Sequence, residues 1–339
     1  KGKNMTRTKK VFIIICIVLA SIFLLLSLAT LFYYYADNYD EFYARAEKSV
    51  TIPGIEDGFT QQGFTYVRGE DIYAFSGYMK NENLPSRVYL VNSAGETIKY
   101  FTLKFNGEDY FGHAGGITQF GNLFWLATTE GYVYTFYLSD ALNVENGGAV
   151  VIKDSFEVGN NADYCSVVGS TLWIGEFYRA GNYETNSSHH IECADGTNMA
   201  VIFGYTINEE NFAGLDSTVP NKVLSVTNLV QGMTITDSGK IVLSTSYSIP
   251  NSTIYVYKDV LSEPSDTNLY IDNNIVPVWI LDSEVLEEKI SAPCMTEDLD
   301  YVDGKVYISF ESACKKYSIF VREQVPNVYS IKIDEKNNK

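Results

Sequence analysis

The sequence predicts an all-β protein, a five-bladed β-propeller carried on a single N-terminal transmembrane helix. Three observations lead there. A three-strand pattern returns five times after residue 50. The 26 tyrosines and 19 phenylalanines among 339 residues favour strands. Residues 11–36 form one uncharged, largely apolar run. The best-formed copy of the pattern spans residues 231–258, QGMTITDSGKIVLSTSYSIPNSTIYVYK. It reads as a hairpin turning at Asp237-Ser238-Gly239, followed by a third strand in which Ile254 and Val256 alternate with Tyr255 and Tyr257.

Taken in order, residues 1–10 are a basic N-terminus and 11–36 a transmembrane signal anchor, long enough to cross a hydrocarbon core of about 30 Å. A cleaved signal peptide is the competing reading, but its apolar stretch is usually shorter, about 7–15 residues. Here the run closes on Phe32-Tyr33-Tyr34-Tyr35, aromatics suited to a membrane interface. Basic residues precede the span and Asp37, Asp40 and Glu41 follow it, so the N-terminus is expected in the cytoplasm and the rest outside the cell membrane. Residues 37–50 carry no Gly or Pro and suit a juxtamembrane stalk or a disordered tether. Residues 51–335 are assigned to the propeller and 336–339 to a polar tail.

Inner hairpins are read at residues 62–78, 115–129, 163–178, 231–247 and 297–312, with third strands at 86–91, 131–136, 199–205, 252–257 and 328–333. Fourth strands are expected at 97–103, 149–157, 222–226 and 276–281. The fifth unit ends after its third strand, so closing the ring requires a strand from the other end of the domain. Residues 49–52, SVTI, are the β-prone candidate, and closure removes exposed sheet edges. A two-sheet sandwich is the rival architecture, but it has no reason to repeat one pattern five times. Two insertions stand out: 179–198 in blade three, polar and turn-rich, and 261–275 in blade four, read as a solvated loop.

All 42 acidic residues follow residue 36, against 20 of the 25 basic ones, so the remainder of the chain carries −22. Such a surface repels phosphate backbones and argues against nucleic acid as a partner. Four cysteines lie outside the span. Antiparallel register about Asp303-Gly304 places Cys294 near Cys314, leaving Cys165 with Cys193, while four free thiols remain the alternative. Asn186 and Asn251 begin N-x-S/T sequons.

No phosphate loop, CxxC pair, HExxH motif or GxSxG elbow is present. Candidate chemistry is therefore positional. Aligning the repeats brings Gln62, Gly115, Asp163, Gln231 and Glu297 to one level of the central channel, with His113 beside them. Hairpin register sets Glu176 across from Asp163 and Glu311 across from Glu297. The expected ligand-binding set is His113, Asp163, Glu176, Arg179, Glu297 and Glu311, with Arg179 able to pair a carboxylate. Like charges brought together call for a counter-cation, so Asp163, Glu297 and Glu311 are expected as oxygen ligands of a divalent cation such as calcium. Solvated rim acids are the bland alternative. His189 and His190 read as ordinary surface residues.

IPGIEDGFTQQGFTY, FSGYMK, SRVYLV, YFGHAGGI, GEFYRAGNY with SHH, VQGMTITDSGKIVLSTSY and VYISFESACKKY together resemble a group of secreted or membrane-anchored propeller proteins of Gram-positive bacteria. The resemblance spans about residues 52–333. It implies the fold and the location and supplies no catalytic residues. Where it leads one to expect Ser-Glu-Gly on the innermost strand of the last blade, this chain has Thr296-Glu297-Asp298, and the missing glycine argues against close backbone approach there. The expected function is a cell-surface binding or scaffold protein for an extracellular protein, peptide or polymer. The alternative is a hydrolase or lyase acting on cell-surface polymers through the channel-mouth carboxylates.

Overall fold

The computed structural model of the chain describes residues 6–35, 39–319 and 321–333. The expected tail at 336–339 and the side chains of residues 32–35 lie outside what is described. The chain divides into two units, one ending at Asp40 and one beginning at Glu41. In the first, Arg7–Tyr35 is a helix of 29 residues, and its Arg7–Leu31 part is long and apolar enough to cross a membrane. Hydroxyls along it donate to carbonyls one turn back, Ser21 to Ile17 at 2.9 Å and Thr30 to Leu26 at 2.8 Å. Those hydrogens are satisfied within the helix, without water.

The second unit is five radial sheets. Blade one comprises Phe59–Val67, Ile72–Met79, Arg87–Asn92 and Thr97–Phe105; blade two, Ile117–Phe120, Leu123–Ala127, Tyr132–Tyr137 and Asp154–Glu157. Blade three comprises Tyr164–Val168, Thr171–Gly175, Ala200–Thr206 and Lys222–Val226; blade four, Val230–Ile235, Ile241–Thr245, Ser252–Tyr257 and Leu286–Ala292. Blade five contributes Thr296–Val302, Lys305–Phe310 and Asn327–Ile331.

Its fourth strand comes from the other end of the domain. Ala46–Thr51 pairs antiparallel with Asn327–Ile331, and Ile52 N donates to Pro326 O at 2.9 Å. The closing strand therefore starts three residues before the expected 49–52 segment, inside the stretch read as a stalk. The short helix Asp40–Arg45 precedes it and buries Phe42 against Phe310 and Tyr329, with ring centroids 6.1 and 6.0 Å away.

Apolar faces of neighbouring blades supply the core. Between blades two and three, for example, Trp125 and Phe156 pack with Cys165, Ile174 and Phe203. Inner strands are buried on both faces, which is why they read as nearly continuous apolar runs.

Three outer segments differ from expectation. Residues 149–157 are not one strand: Ala149–Val151 runs parallel to the outer strand of blade one, and only Asp154–Glu157 completes blade two. Residues 276–281 do not complete blade four. Asn274–Ile280 instead runs parallel to Lys222–Val226 and extends blade three. The 261–275 segment, expected as a loop, contains its hairpin partner Thr267–Ile271, joined through Asp272 and Asn273 at φ of 46° and 64°. Consecutive left-handed residues of this kind make a tight hairpin turn, and Asp and Asn tolerate them. The true outer strand of blade four, Leu286–Ala292, has a half-exposed pattern that leaves room for Glu287, Glu288 and Lys289.

The expected disulfides Cys294–Cys314 and Cys165–Cys193 do not form, and all five cysteines are free. In blade five a bulge separates the pair Thr296 and Phe310 from the pair Leu299 and Ile308, and pairing stops at Phe310. Beyond it the chain turns, with Cys314 N donating to Glu311 O at 2.9 Å, so Cys314 leaves the line of Cys294. Cys165 Sγ faces Trp125 O at 3.6 Å between blades two and three, whereas Cys193 belongs to the small hairpin of Ile191–Cys193 and Gly196–Asn198.

Candidate functional site

The site is built by how the innermost strands begin. In four blades a residue one or two positions before the strand's channel-lining residue is left-handed and is not glycine: Ala114 at φ 49° and Ala162 at 51° directly before it, Leu229 at 64° and Met295 at 62° two residues before. Three inner strands also carry a bulge. Register skips Gln62 in blade one, Gln231 in blade four and the Glu297-Asp298 pair in blade five. An extra residue in one strand turns its side chain away from the ladder, here toward the channel.

Immediately beyond, the strands meet backbone to backbone. A methyl group on Gly63 would lie 2.4 Å from Gly115 O, and one on Gly116 would lie 2.3 Å from Cys165 N. Asp298 holds the equivalent place in blade five, and close approach survives there because Gly232 of blade four makes the room. A methyl on Gly232 would lie 2.7 Å from the Asp298 Cα. The expected loss of close contact at the missing glycine is thus corrected by the glycine next door. Asp298 is wholly buried, its Oδ2 accepting from Phe64 N at 3.2 Å and its Oδ1 from Leu299 N at 3.0 Å. Its carboxyl is pushed up well above the usual range by that burial. Strands of blades one and five are stapled at the axis.

Above this constriction lies a cavity of about 370 Å³ to which all five blades contribute. Gln62, His113, Asp163, Gln231, Glu297 and Glu311 line it, together with Phe177, Tyr183, Tyr247 and Tyr317. The repeat alignment places the polar members at one level, and the structure brings them to one mouth of the channel.

Glu297 and Glu311 lie within hydrogen-bond reach of each other. Glu311 Oε2 accepts from Gln62 Nε2 at 2.8 Å, and Glu297 Oε1 is 3.4 Å from Gln231 Nε2. Burial raises both carboxyls, Glu297 far above its ordinary value with Glu311 adding to the rise. Glu311 reaches about 7, held back by the Gln62 hydrogen bond and the Lys316 charge. The pair therefore shares protons, as adjacent carboxyls do when both cannot ionise. Asp163 Oδ2 accepts from Phe177 N at 2.6 Å, and burial pushes its carboxyl up to about 7. At the exposed rim His113 Nε2 meets Gln62 Oε1, and its ring rests 4.6 Å from that of Tyr78.

Two predicted residues sit elsewhere. Glu176 is across from Asp163 in sequence register but turns away from the cavity. It is buried against His189 Nδ1 at 3.0 Å and accepts from Val201 N at 3.1 Å. His189, read as a surface residue, is thus a buried partner that fastens the 179–198 insertion to blade three. Arg179 pairs no carboxylate among the described residues; its guanidinium stacks over the Tyr247 ring at 4.1 Å. Nor do Asp163, Glu297 and Glu311 come together as a cation site. Among the described residues no group of three or more His, Cys, Asp or Glu side chains is placed to hold a metal ion. One Asp163 oxygen is engaged by backbone, and the two glutamates turn to each other.

Sequence reasoning missed the aromatic wall. Phe177 meets Tyr183 edge-on at 5.4 Å and Tyr247 at 6.3 Å. The signal was present: Thr129, Phe177, Tyr247 and Glu311 all follow the second strand of their hairpins, and the acidic Glu176 beside Phe177 masked it. The opposite mouth, where the hairpin turns lie, holds a larger cavity of about 650 Å³ lined by residues such as Tyr66, Arg68, Gln119 and Asp303. There Arg68 is engaged with Asp300 at 3.1 Å and Tyr301 O at 2.8 Å.

No protein-family model matches the chain, and no curated protein matches it in sequence. Among solved structures it is similar to the PQQ-bound form of aldose sugar dehydrogenase from Streptomyces coelicolor, at 10% identity and a TM-score of 0.45 over 84% of this chain and 96% of that one. It is also similar to glutaminyl cyclase from Myxococcus xanthus, at 10% identity and 0.43 over 85% and 94%. A hypothetical protein from Leishmania major stands at 12% and 0.42 over 88% and 94%. Likeness this distant says nothing of chemistry. The strand pairings themselves define the class: a five-bladed propeller closed by its N-terminal strand.

Proposed function

We propose that this chain is a membrane-anchored surface protein whose propeller, held outside the cell by Arg7–Tyr35, binds an extracellular ligand through a cationic group seated in the 370 Å³ cavity. The observation that carries the reading is the convergence of Asp163, Glu297 and Glu311, from two blades, on a blind pocket. Buried carboxyls cost stability unless protonated or paired, and an incoming cation supplies the pairing. The −22 balance beyond residue 36 draws such ligands toward the protein.

Polymer hydrolysis is the weaker reading. Glycosidase carboxyls stand about 5–5.5 Å or 6.5–9.5 Å apart to admit a sugar carbon or a water. Glu297 and Glu311 lie within hydrogen-bond reach of each other, which leaves no room for either between them. The test is a ligand-observed NMR screen of the full chain in lipid nanodiscs against cationic, neutral and anionic small molecules. Cationic hits that vanish in Glu311→Gln and Gln231→Ala support the proposal; hits confined to anions, or indifferent to both substitutions, overturn it.

A further inference from the structure

The pocket offers more than negative charge. Phe177, Tyr183 and Tyr247 make one wall of three rings, and Arg179 packed on Tyr247 holds that ring in place. Tyr183 is 52% exposed, so the wall is open to a ligand. Around it stand groups that both donate and accept hydrogen bonds: the amides of Gln62 and Gln231 and the hydroxyls of Thr129 and Ser248. A lysine ammonium has three donors and no acceptor, so it would leave the amide and hydroxyl donors unmet. A sugar ring matches the whole set. Its flat C–H face packs on aromatic carbon, and its hydroxyls donate and accept.

Resting on the binding function proposed above, we infer that the ligand is an amino sugar with a free amine, the ring stacked on the Phe177, Tyr183 and Tyr247 wall and the ammonium directed to Glu297 and Glu311. A cavity of about 370 Å³ suits a terminal sugar unit of a longer polymer, the remainder passing over the rim. The Asp298 constriction blocks passage through the channel, so the chain end enters and leaves by the same mouth.

The test uses the full chain in lipid nanodiscs, titrated calorimetrically with a β-1,4-linked glucosamine trimer, the same trimer N-acetylated, and trilysine. The glucosamine trimer is expected to bind at least tenfold more tightly than either comparator. Tyr247→Ala should weaken it at least tenfold, and Glu311→Gln should erase the preference for the free amine; each variant is first required to melt cooperatively above the titration temperature, with Gln231→Ala as the reserve probe of the pocket. Equal binding of the acetylated trimer overturns the amine assignment. Tighter trilysine overturns the sugar ring. Glucosamine binding undiminished in all the variants moves it off this pocket and takes the proposed function with it. Failure of every probe overturns this inference alone and leaves the pocket to the screen described above.

Discussion

Replacing Glu311 by Gln should remove a pH dependence that the native fold carries. A carboxyl whose folded pKa exceeds its unfolded one stabilises the fold while both states hold the proton. It withdraws that stability as pH climbs from the unfolded value to the folded one. For Glu311, raised from an ordinary 4.5 to about 7 by burial, the window runs across that interval. At about 1.4 kcal/mol per pH unit, roughly 3 kcal/mol is lost across the window. The amide that the substitution puts in place of the carboxyl cannot ionise, yet it can still donate to Glu297 and accept from Gln62. General repulsion among surface acids and the rise of Asp163 act on parent and variant alike and cancel in the difference. Urea unfolding of residues 39–333, followed by tryptophan fluorescence at half-unit steps from pH 5 to 8, measures that difference. The parent should lose on the order of 3 kcal/mol more than the variant. Parallel curves would show that Glu311 ionises normally and would refute the shared-proton pair.

Further outcomes follow from the packing. Starting the chain at Gly54 removes Phe42, Val50 and Ile52, all buried. At about 1.5–3 kcal/mol each, the loss rivals a domain's whole stability of roughly 5–15 kcal/mol. Such a chain should lose cooperative melting and associate through the bared edge of Asn327–Ile331; a monomer of unchanged melting temperature counts against closure by Ala46–Thr51. Peptide mapping without reductant should find Cys165, Cys193, Cys294 and Cys314 unlinked, with Cys193 the most readily alkylated of the four in the folded state because the others are buried. Any bridge among them would contradict the blade-five bulge. Gly63→Ala should misfold or melt far lower, since its methyl would lie 2.3 Å from Ser76 Oγ and 2.4 Å from Gly115 O. Native-like melting of that variant would show that the inner strands are less closely packed.

Inner strands were legible because burial on both faces leaves an unbroken apolar run that period and turn residues delimit. Outer strands were not. Leu286–Ala292 is half in solvent, and its Glu-Glu-Lys core carries no β signal, whereas the more apolar 276–281 attracted the assignment it deserved less. Its Asp272-Asn273 turn was the available clue. The candidate site was legible in level but not in direction. Repeat alignment is blind to bulges, and a bulge decides which way Gln62, Gln231 and Glu297 point. Cys294 failed as a disulfide partner for the same reason. Glu176 shows the converse: the ladder ends at Tyr164 and Gly175, so the register that set Glu176 across from Asp163 does not extend to them, and it is the following residue, Phe177, that faces the cavity.

The two mouths of the channel can be compared on the same terms. At the turn end, the left-handed positions of the inner hairpins are largely glycine: Gly69, Gly121, Gly169, Gly239 and Gly304. Glycine takes that conformation without steric penalty, so those turns need only connect strands. At the other end four inner strands are entered through left-handed residues that are not glycine, Ala114, Ala162, Leu229 and Met295, which adopt it at a cost of about 1–2 kcal/mol each. Three bulges and three raised carboxyls gather at that mouth as well. A fold seeking stability alone would have placed glycines and apolar side chains there. Departures from local preference that collect at one end, in blades whose sequences differ, favour that end as the one shaped by a ligand. A cationic group whose charge does not change with pH, such as a quaternary ammonium, would return part of the lost stability when seated beside Glu297 and Glu311, so it should raise the melting temperature more at pH 8 than at pH 5. A larger shift at the lower pH would mean that the neutral form of the site is the one that binds, and that the charge argument is wrong.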